Sequence, residues 1–248
     1  ARPAMGKTSF VDGAFIAAAM EARTRGDDGV FVFVTLEMPR VEIARRATSQ
    51  MARSIAGEHV TEQAMRAGTV SRSQLDAITE ASKRFSELPI VIADSGVNPK
   101  LSTTTGLRAT LDLALMKYGR ILGVCVDYLQ LINDEATRAF SNYSSDAEIN
   151  AITRSLKQWA KEFNCPIHLL SQLNRQCESR PNKRPMLADL RGSGGIEQDA
   201  DIVMFIYRDE VYRKDSDDKG IAELIIAKQR SGPTDTVRLR FGGNSTRS

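Results

Sequence analysis

The 248-residue chain is 42% hydrophobic and 26% charged, which predicts one globular domain large enough to bury its own core. No apolar run approaches the roughly 18 residues that a membrane span needs, and the first residues lack a signal-peptide pattern. We therefore expect a soluble, cytoplasmic protein with no membrane partner. The formal net charge of +3 is too small to indicate a polyanionic partner by itself.

A local excess of basic residues lies between Gln172 and Arg191. Pro181 and Pro185 interrupt this stretch, which predicts a loop rather than a helix. Its basic residues are Arg175, Arg180, Lys183, Arg184 and Arg191, against the acidic Glu178 and Asp189. A basic loop suits a polyanion, although such a stretch is more often a solvated surface.

The cysteines predict neither a metal site nor a disulfide framework. Cys125, Cys165 and Cys177 lack the short paired spacings of zinc ligands, and their number is odd. We expect all three to be reduced, and the first two, in apolar surroundings, to serve packing.

Short apolar, β-branched runs alternate with longer helical patterns along the chain. This alternation predicts an α/β fold with a mainly parallel central sheet flanked by helices. The near-continuous hydrophobicity of the runs favours strands buried on both faces. In chain order the predicted strands are Val30 to Thr35, Ile90 to Ala93, Ile121 to Val126, Ile167 to Ser171, Ile202 to Tyr207 and Ile221 to Ala227.

Two capping-box patterns mark helix starts, at Ser71 to Gln74 and at Ser145 to Glu148. The apolar stripes that follow are predicted to face the core. They consist of Leu75, Ile78 and Phe85 in the first helix, and Ile149, Ile152, Leu156, Trp159 and Phe163 in the second. Polar and apolar residues alternate from Thr236 to Phe241, which predicts a half-exposed strand and a C-terminal antiparallel hairpin across the turn at Ser231 to Thr234.

The first residues carry a phosphate-binding pattern. Ala1 to Thr8 has the spacing of a P-loop, with alanine in place of the usual first glycine, and a helical pattern follows from Lys7 to about Arg25. Loop amides and the helix N-terminus then point at one anion. We predict that ATP is bound by Ala4, Met5, Gly6, Lys7, Thr8 and Ser9, with Lys7 on the β- and γ-phosphates and the Thr8 hydroxyl on Mg²⁺. Because a P-loop normally follows a buried strand, we expect residues 1–248 to be a fragment of a longer protein, comprising one ATPase domain.

A second Mg²⁺ anchor is predicted at Asp127, which ends the buried run Ile121 to Val126 in a Walker B arrangement. A strand-end aspartate without a P-loop is more often a turn residue. Here we expect it to hold the metal directly or through a coordinated water.

Two further strand ends supply candidate catalytic groups. Glu37 follows the strand Val30 to Thr35 at the carboxyl edge where ligands gather in open α/β sheets, so it is the candidate base for activating water. Gln172 ends the strand Ile167 to Ser171 at the same edge, and its amide suits a γ-phosphate sensor. Without further information, a locally bonded turn residue is an equally good interpretation of Gln172.

Several longer motifs resemble the C-terminal ATPase domain of replicative DNA helicases of the DnaB family. The resemblance covers essentially the whole chain and rests on Ala1 to Thr8, Leu36 to Met38, Val126 to Leu131, Leu170 to Arg175, Asp189 to Asp201, Tyr207 to Glu210 and Lys228 to Gly232. It implies a RecA-like P-loop ATPase fold, with Glu37 as catalytic glutamate, Asp127 as Walker B residue and Gln172 as phosphate-sensing glutamine. It also implies a homo-hexamer around single-stranded DNA, with a primase and a helicase loader as partners of the full-length protein.

The same resemblance implies two further sites. Lys228 and Arg230 would be a piston lysine and an arginine finger that reach the ATP of a neighbouring subunit. The segment with Arg191, Gly192 and Gly194 would be a channel loop that contacts DNA, where glycine permits close approach of backbone amides to phosphates. Many relatives carry glutamate where Gly192 stands, so a side-chain role is not expected at that position.

Three alternatives remain compatible with the sequence. One is an ATPase of the RecA recombinase or KaiC clock type, with a strand-exchange or regulatory role; another is a phage or plasmid helicase of the same family. The third is a nucleotide-dependent adaptor without motor activity, which would not need Glu37, Gln172 and Arg230.

Overall fold

The computed structural model describes residues 5–139, 144–190 and 193–241. The helices are α1 (Lys7–Arg25), α2 (Arg40–Ala56), α3 (Glu62–Ala67), α4 (Arg72–Ser86), α5 (Thr104–Tyr118), α6 (Glu135–Arg138), α7 (Ser145–Glu162), α8 (Ser193–Asp199) and α9 (Asp209–Tyr212). The strands are β1 (Val30–Thr35), β2 (Ile90–Asp94), β3 (Ile121–Asp127), β4 (Ile167–Leu169), β5 (Ile202–Tyr207), β6 (Ile221–Gln229) and β7 (Asp235–Arg240). No helix in the described ranges is long and apolar enough to cross a membrane.

The first four strands form the predicted parallel sheet, in the order β2-β1-β3-β4. The register pairs Thr35 with Asp94 on one side and with Asp127 on the other. Three neighbouring strands therefore end at the same level, and the residues that follow them share one edge of the sheet. β4 stops at Leu169, two residues before the predicted end.

The last three strands form a separate antiparallel sheet, in the order β5-β6-β7. The C-terminal hairpin is confirmed, but β5 and β6 do not extend the parallel sheet: they pair antiparallel, with Tyr207 opposite Glu223. Nor is β6 buried on both faces, because most of its residues are half-buried. Apolar content alone does not reveal which neighbour a strand pairs with, since that choice is made by contacts distant in sequence.

The core lies on both faces of the parallel sheet. Alternation along β1 sends Val32 and Val34 into a cluster with α5 and α7, while Phe31 and Phe33 pack into a second cluster with α1, α2 and α4. All three cysteines are buried, and no disulfide joins them. Cys125 and Cys165 pack in the two core clusters, as expected.

One of the two predicted helix starts is correct and the other is displaced. At α4, Ser71 and Gln74 form the full capping box. At α7 the N-cap is Ser144, whose hydroxyl accepts a hydrogen bond from the Ala147 amide at 3.1 Å. Glu148 is instead buried and accepts a hydrogen bond from the Asp134 amide at 2.8 Å, so it does not complete a box.

The predicted apolar stripes face the core in α7 but only partly in α4. Ile149, Ile152, Leu156 and Trp159 are buried. In α4 the buried residues are Ala77 and Ala81, Ile78 and Phe85 pack at the cluster margin, and Leu75 is 52% exposed.

Candidate nucleotide-binding site

Gly6 ends the P-loop and begins α1. Its φ of 88° lies in the left-handed region, which glycine adopts without the cost that a Cβ imposes. A Cβ at this position would also lie 2.5 Å from Cε2 of Phe241. Met5 is buried in a small cluster with Ile206 and Ala222 of the antiparallel sheet, so its side chain serves packing and only its backbone can meet a ligand. Ala4 lies outside the described residues.

Lys7, Thr8 and Asp127 meet at the end of β3. The Thr8 hydroxyl donates to Oδ2 of Asp127 at 2.8 Å, and Nζ of Lys7 lies 3.4 Å from Oδ1. Asp127 is 1% exposed, so Lys7 and Thr8 contact its carboxylate in place of solvent. The next residue of α1, Ser9, is half-buried, and its carbonyl accepts a hydrogen bond from the Gln50 side chain at 3.1 Å.

The residues present fit a magnesium ion. Oδ1 of Asp127 is buried, and no described residue gives it a hydrogen bond. Hydroxyl and carboxylate oxygens are ligands that Mg²⁺ prefers. No group of three or more His, Cys, Asp or Glu side chains with metal-binding geometry occurs in the described part of the chain. Thr8 and Asp127 therefore suit a magnesium ion that takes its other ligands from phosphate and water.

Glu37 occupies a turn that is held to the end of its own strand, β1, and to the neighbouring strand β3. The buried Thr35 hydroxyl donates to the Met38 carbonyl at 2.6 Å and accepts from the Met38 amide at 3.2 Å. The Leu36 amide donates to the Asp127 carbonyl at 2.8 Å. Glu37 itself is exposed, so its carboxylate is presented to solvent from a fixed backbone at the predicted edge.

Tyr128 contacts both Lys7 and Gln172, and no pattern in the sequence predicted a role for it. Nζ of Lys7 lies 4.7 Å from the centroid of its ring, which is a cation–π contact. Burial raises the pKa of the Tyr128 hydroxyl, the charges of Glu37 and Asp127 raise it further, and a hydrogen bond with the Gln172 side chain lowers it. Gln172 is half-buried beyond the end of β4, at the same edge.

A buried charged pair supports the helix below the P-loop. Asp12 of α1 is 3% exposed, and its Oδ2 lies 3.5 Å from Nη1 of Arg46 on α2. Arg46 also contacts Oε1 of Glu62 at 3.2 Å and Sδ of Met38 at 3.4 Å. Burial raises the pKa of Asp12 to about 7, against the opposing effect of Arg46.

A cavity of about 250 Å³ adjoins the P-loop. It lies between the loop with the start of α1 and the strands of the antiparallel sheet. Its lining includes Gly6, Ser9, Phe10, Ile206, Leu239 and Phe241. The phosphate loop is therefore continuous with space for a larger, partly apolar group.

The full chain, residues 1–248, matches the family model for the DnaB-like helicase C-terminal domain. This chain belongs to that family. It is 42% identical over 250 residues to the replicative DNA helicase DnaB of Pasteurella multocida, covering 100% of this chain and 49% of the relative. It is 38% identical over 242 residues to DnaB of Geobacillus stearothermophilus, covering 97% and 49%. The chain thus spans about half the length of the curated relatives it matches.

Solved structures agree with this assignment. One solved ATPase domain superimposes with a TM-score of 0.84 at 33% identity, covering 98% of this chain and 80% of that one. A DnaB-like replicative helicase studied for its interactions with primase gives a TM-score of 0.83 at 34% identity, covering 98% and 54%. The RecA-like ATPase fold of this DnaB-like domain is therefore confirmed.

Lys228 and Arg230 of the DnaB-like domain face the C-terminal end of α8. Nζ of Lys228 donates to the carbonyls of Glu197 and, at 2.8 Å, of Ala200. Nη2 of Arg230 donates to the carbonyl of Gln198 at 3.3 Å. Cations at a helix C-terminus satisfy its free carbonyls and oppose its dipole. Within one subunit, the two side chains therefore stabilise the end of α8.

The predicted DNA-binding segment of the DnaB-like domain is described in part. Arg191 and Gly192 lie outside the described residues. Gly194 is exposed in the first turn of α8, rather than in a loop, and a Cβ there would contact no atom within 4 Å. Space for a close backbone approach is therefore present at Gly194.

Two arginines of the predicted basic stretch are neutralised within the domain. Arg180 forms two hydrogen bonds with the buried Asp189, at 2.8 and 2.6 Å. Arg184 forms two with Glu223, at 2.7 and 2.6 Å. The Arg180 pair lies within the stretch, whereas the Arg184 pair holds the stretch against β6 of the antiparallel sheet. The positive charge that the stretch offers to a polyanion is therefore smaller than the sequence suggested.

Proposed function

We propose that this domain is the ATP-hydrolysing motor of a hexameric replicative DNA helicase, which translocates on single-stranded DNA and unwinds duplex DNA at the replication fork. The observation that carries the proposal is the meeting of Lys7 and Thr8 with the buried Asp127, beside a strand end that presents Glu37. A cation, a hydroxyl and a carboxylate at one sheet edge are what phosphoryl transfer requires.

The P-loop residues Ala4 to Ser9 bind the phosphates of ATP in this proposal. Lys7 leaves Asp127 and contacts the β- and γ-phosphates, so one cation exchanges a carboxylate partner for a phosphate partner. Thr8 and Asp127 hold Mg²⁺, which neutralises charge on the phosphates when bound. The adjoining cavity accommodates the nucleoside part of the nucleotide.

Hydrolysis needs a water that is oriented and deprotonated. Glu37 accepts the proton, because its turn is fixed by Thr35 and its carboxylate is exposed at the edge. Gln172 donates its side-chain amide to the γ-phosphate and exchanges its contact with Tyr128 for one with nucleotide.

Assembly completes the site in this proposal. Lys228 and Arg230 extend from a neighbouring subunit to the γ-phosphate, where an arginine stabilises charge that develops during transfer. Six subunits surround one DNA strand, with Arg191, Gly192 and Gly194 tracking its phosphates. Primase and a helicase loader are the proposed partners of the full-length protein. The similarity to a DnaB-like replicative helicase that was solved together with its interactions with primase supports the first of them.

The test separates binding from chemistry in the full-length protein. We expect Lys7→Ala to lose ATP binding and hydrolysis, whereas Glu37→Gln keeps ATP binding and loses about 10² to 10⁴ in kcat. Equilibrium binding of MgATP and steady-state hydrolysis are measured side by side. Glu135→Gln, at the exposed start of α6, is the matched control and should behave as the wild type. Normal turnover in Lys7→Ala, or loss of ATP binding in Glu37→Gln, would contradict the assignment.

A forked-duplex assay distinguishes a helicase from a RecA- or KaiC-like ATPase. The wild-type protein should displace one strand of the fork with ATP, and Glu37→Gln should not. ATP hydrolysis without strand displacement, under conditions in which ring assembly is verified, would favour the regulatory or strand-exchange alternative.

A further inference from the structure

The side-chain amide of Gln130 brackets the backbone of Gln172. Gln130 lies in the 3₁₀ turn Leu129–Leu131, just after Asp127. Its Oε1 accepts a hydrogen bond from the Gln172 amide at 3.2 Å. Its Nε2 donates to the Gln172 carbonyl at 3.5 Å and to the Ser171 hydroxyl at 2.9 Å. One side chain therefore contacts both main-chain polar groups of the residue proposed to sense the γ-phosphate.

The contact between Gln130 and Gln172 lies just beyond the last paired residues of β3 and β4. The backbone bonds that join the two strand ends run from the Leu170 amide to the Val126 carbonyl at 3.0 Å and from the Leu129 amide to the Leu170 carbonyl at 2.8 Å. β4 has only three residues in the ladder, ending at Leu169. Gln172 lies beyond that ladder, and the Gln130 amide extends the connection to it.

The hydrogen bonds from Gln130 to Ser171 and Gln172 require a side-chain amide. A carboxamide offers an acceptor and two donors on one rigid plane, whereas a carboxylate offers acceptors alone. A glutamate at position 130 would keep the shape, lose both donations and place a negative oxygen against the Gln172 carbonyl. The hydrogen bonds therefore distinguish glutamine from glutamate at position 130, whereas packing, which depends on shape alone, would not.

We propose that Gln130 is a positioning residue for hydrolysis: it fixes the main chain of Gln172 relative to the metal-binding Asp127, so that the Gln172 side chain meets the γ-phosphate. This proposal rests on the sensor role assigned to Gln172 above. Gln130 itself acts through Gln172, and its loss should affect turnover far more than nucleotide binding.

The experiment compares Gln130→Glu with the wild type in the full-length protein. We expect kcat for ATP to fall about tenfold, as for the loss of one or two hydrogen bonds, while the KM and the Kd for MgATP stay within about twofold. Gln130→Met, which keeps length and removes all polar groups, provides a second variant and should lower kcat similarly.

The control is Gln74→Met, matched to Gln130→Met, because a glutamate at this capping-box position would still accept the hydrogen bond from the Ser71 amide. Gln74 also bonds the backbone through its side chain, to the Ser71 amide at 3.0 Å and to the His59 carbonyl at 3.1 Å, on α4. Its loss should lower the melting temperature as much as the change at Gln130 does, with kcat unchanged.

A double-substitution cycle gives a readout that a merely structural role would not move. In a Gln172→Ala background, Gln130→Glu should cause no further fall in kcat, because its effect passes through Gln172. If the two effects multiply, or if Gln130→Glu and Gln130→Met keep the wild-type kcat, Gln130 does not position the sensor. If Gln172→Ala alone keeps the wild-type kcat, the sensor role of Gln172 fails, and the positioning role fails with it.

Discussion

At the scale of single residues, Asp12 shows how a charge can be costly to the fold that contains it. Oδ1 of Asp12 is buried without a hydrogen bond from any described residue, and Arg46 is shared with Glu62. Buried ion pairs of this kind are often no more stabilising than apolar residues of similar volume. The Lys7–Asp127 contact differs from the Asp12–Arg46 pair, because ligand binding reorganises it in the proposed mechanism.

We expect the change in the free energy of unfolding caused by Asp12→Leu to be more favourable at pH 8 than at pH 5. Burial raises the pKa of Asp12 from 3.8 to about 7, so the folded state retains a proton that the unfolded state has lost. Stability therefore falls as pH rises from about 4 to about 7, and on the order of 2 kcal/mol is lost between pH 5 and pH 8.

Leucine does not titrate, so this loss should disappear in the variant. Urea denaturation at the two pH values measures the effect. Asp76→Leu, an exposed position on α4, controls for the change in net charge. An equal effect of Asp12→Leu at both pH values would show that Asp12 stays ionised in the folded protein throughout this range.

At the scale of elements, the start of α7 provides a test of which serine caps the helix. The Ser144 hydroxyl accepts the bond from the Ala147 amide, and Ser145 is already helical. We expect Ser144→Ala to cost about 1 kcal/mol of folding free energy, because a first-turn amide loses its partner, and Ser145→Ala to cost less than about 0.5 kcal/mol. Denaturant midpoints of the two variants decide the matter, and equal midpoints would be inconsistent with a cap at Ser144.

The sequence predicted those elements whose pattern lies within a short segment of the chain. The four parallel strands were found to within two residues, because each is a compact apolar run between helical patterns. β5 and β6 were found as strands but placed in the wrong sheet, since strand pairing depends on residues far apart in the chain. Asp127 and Glu37 were located because a strand end fixes where such a side chain stands.

Other parts of the site carried no local signal. Tyr128 and Gln130 lie within a motif, but nothing in their spacing shows that one lies beneath Lys7 and the other brackets Gln172. The contact of Lys228 with α8 depends on how the antiparallel sheet packs, which no pattern in β6 encodes. The roles of Lys228 and Arg230 toward a neighbouring subunit stay predictions.

At the scale of the whole molecule, Arg230 tests the proposed ring. It lies 3.5 Å from Asp201 in a pair whose side chains are both more than half exposed, and such surface pairs contribute little. The guanidinium would have to release this pair and its hydrogen bond to the Gln198 carbonyl to reach another subunit. We expect Arg230→Ala to bind ATP normally but hydrolyse it about 10³-fold or more slowly.

Mixing Arg230→Ala with Lys7→Ala subunits should restore part of the activity, because an intact P-loop then meets an intact arginine from its neighbour. Native mass spectrometry first verifies that mixed rings have formed. Verified mixed rings without recovery of hydrolysis would rule out an arginine acting between subunits.

The placement of Met5 has a mechanical consequence for such an assembly. The P-loop and the start of α1 are attached to the parallel sheet through the polar contacts of Lys7 and Thr8 with Asp127, and to the antiparallel sheet through the apolar cluster of Met5 with Ile206 and Ala222. Through Ala222, this cluster joins the P-loop to β6, the strand that also carries Lys228. In the proposed assembly, one packed apolar cluster would therefore lie between the phosphate site of a subunit and the strand that offers a cation to the next subunit.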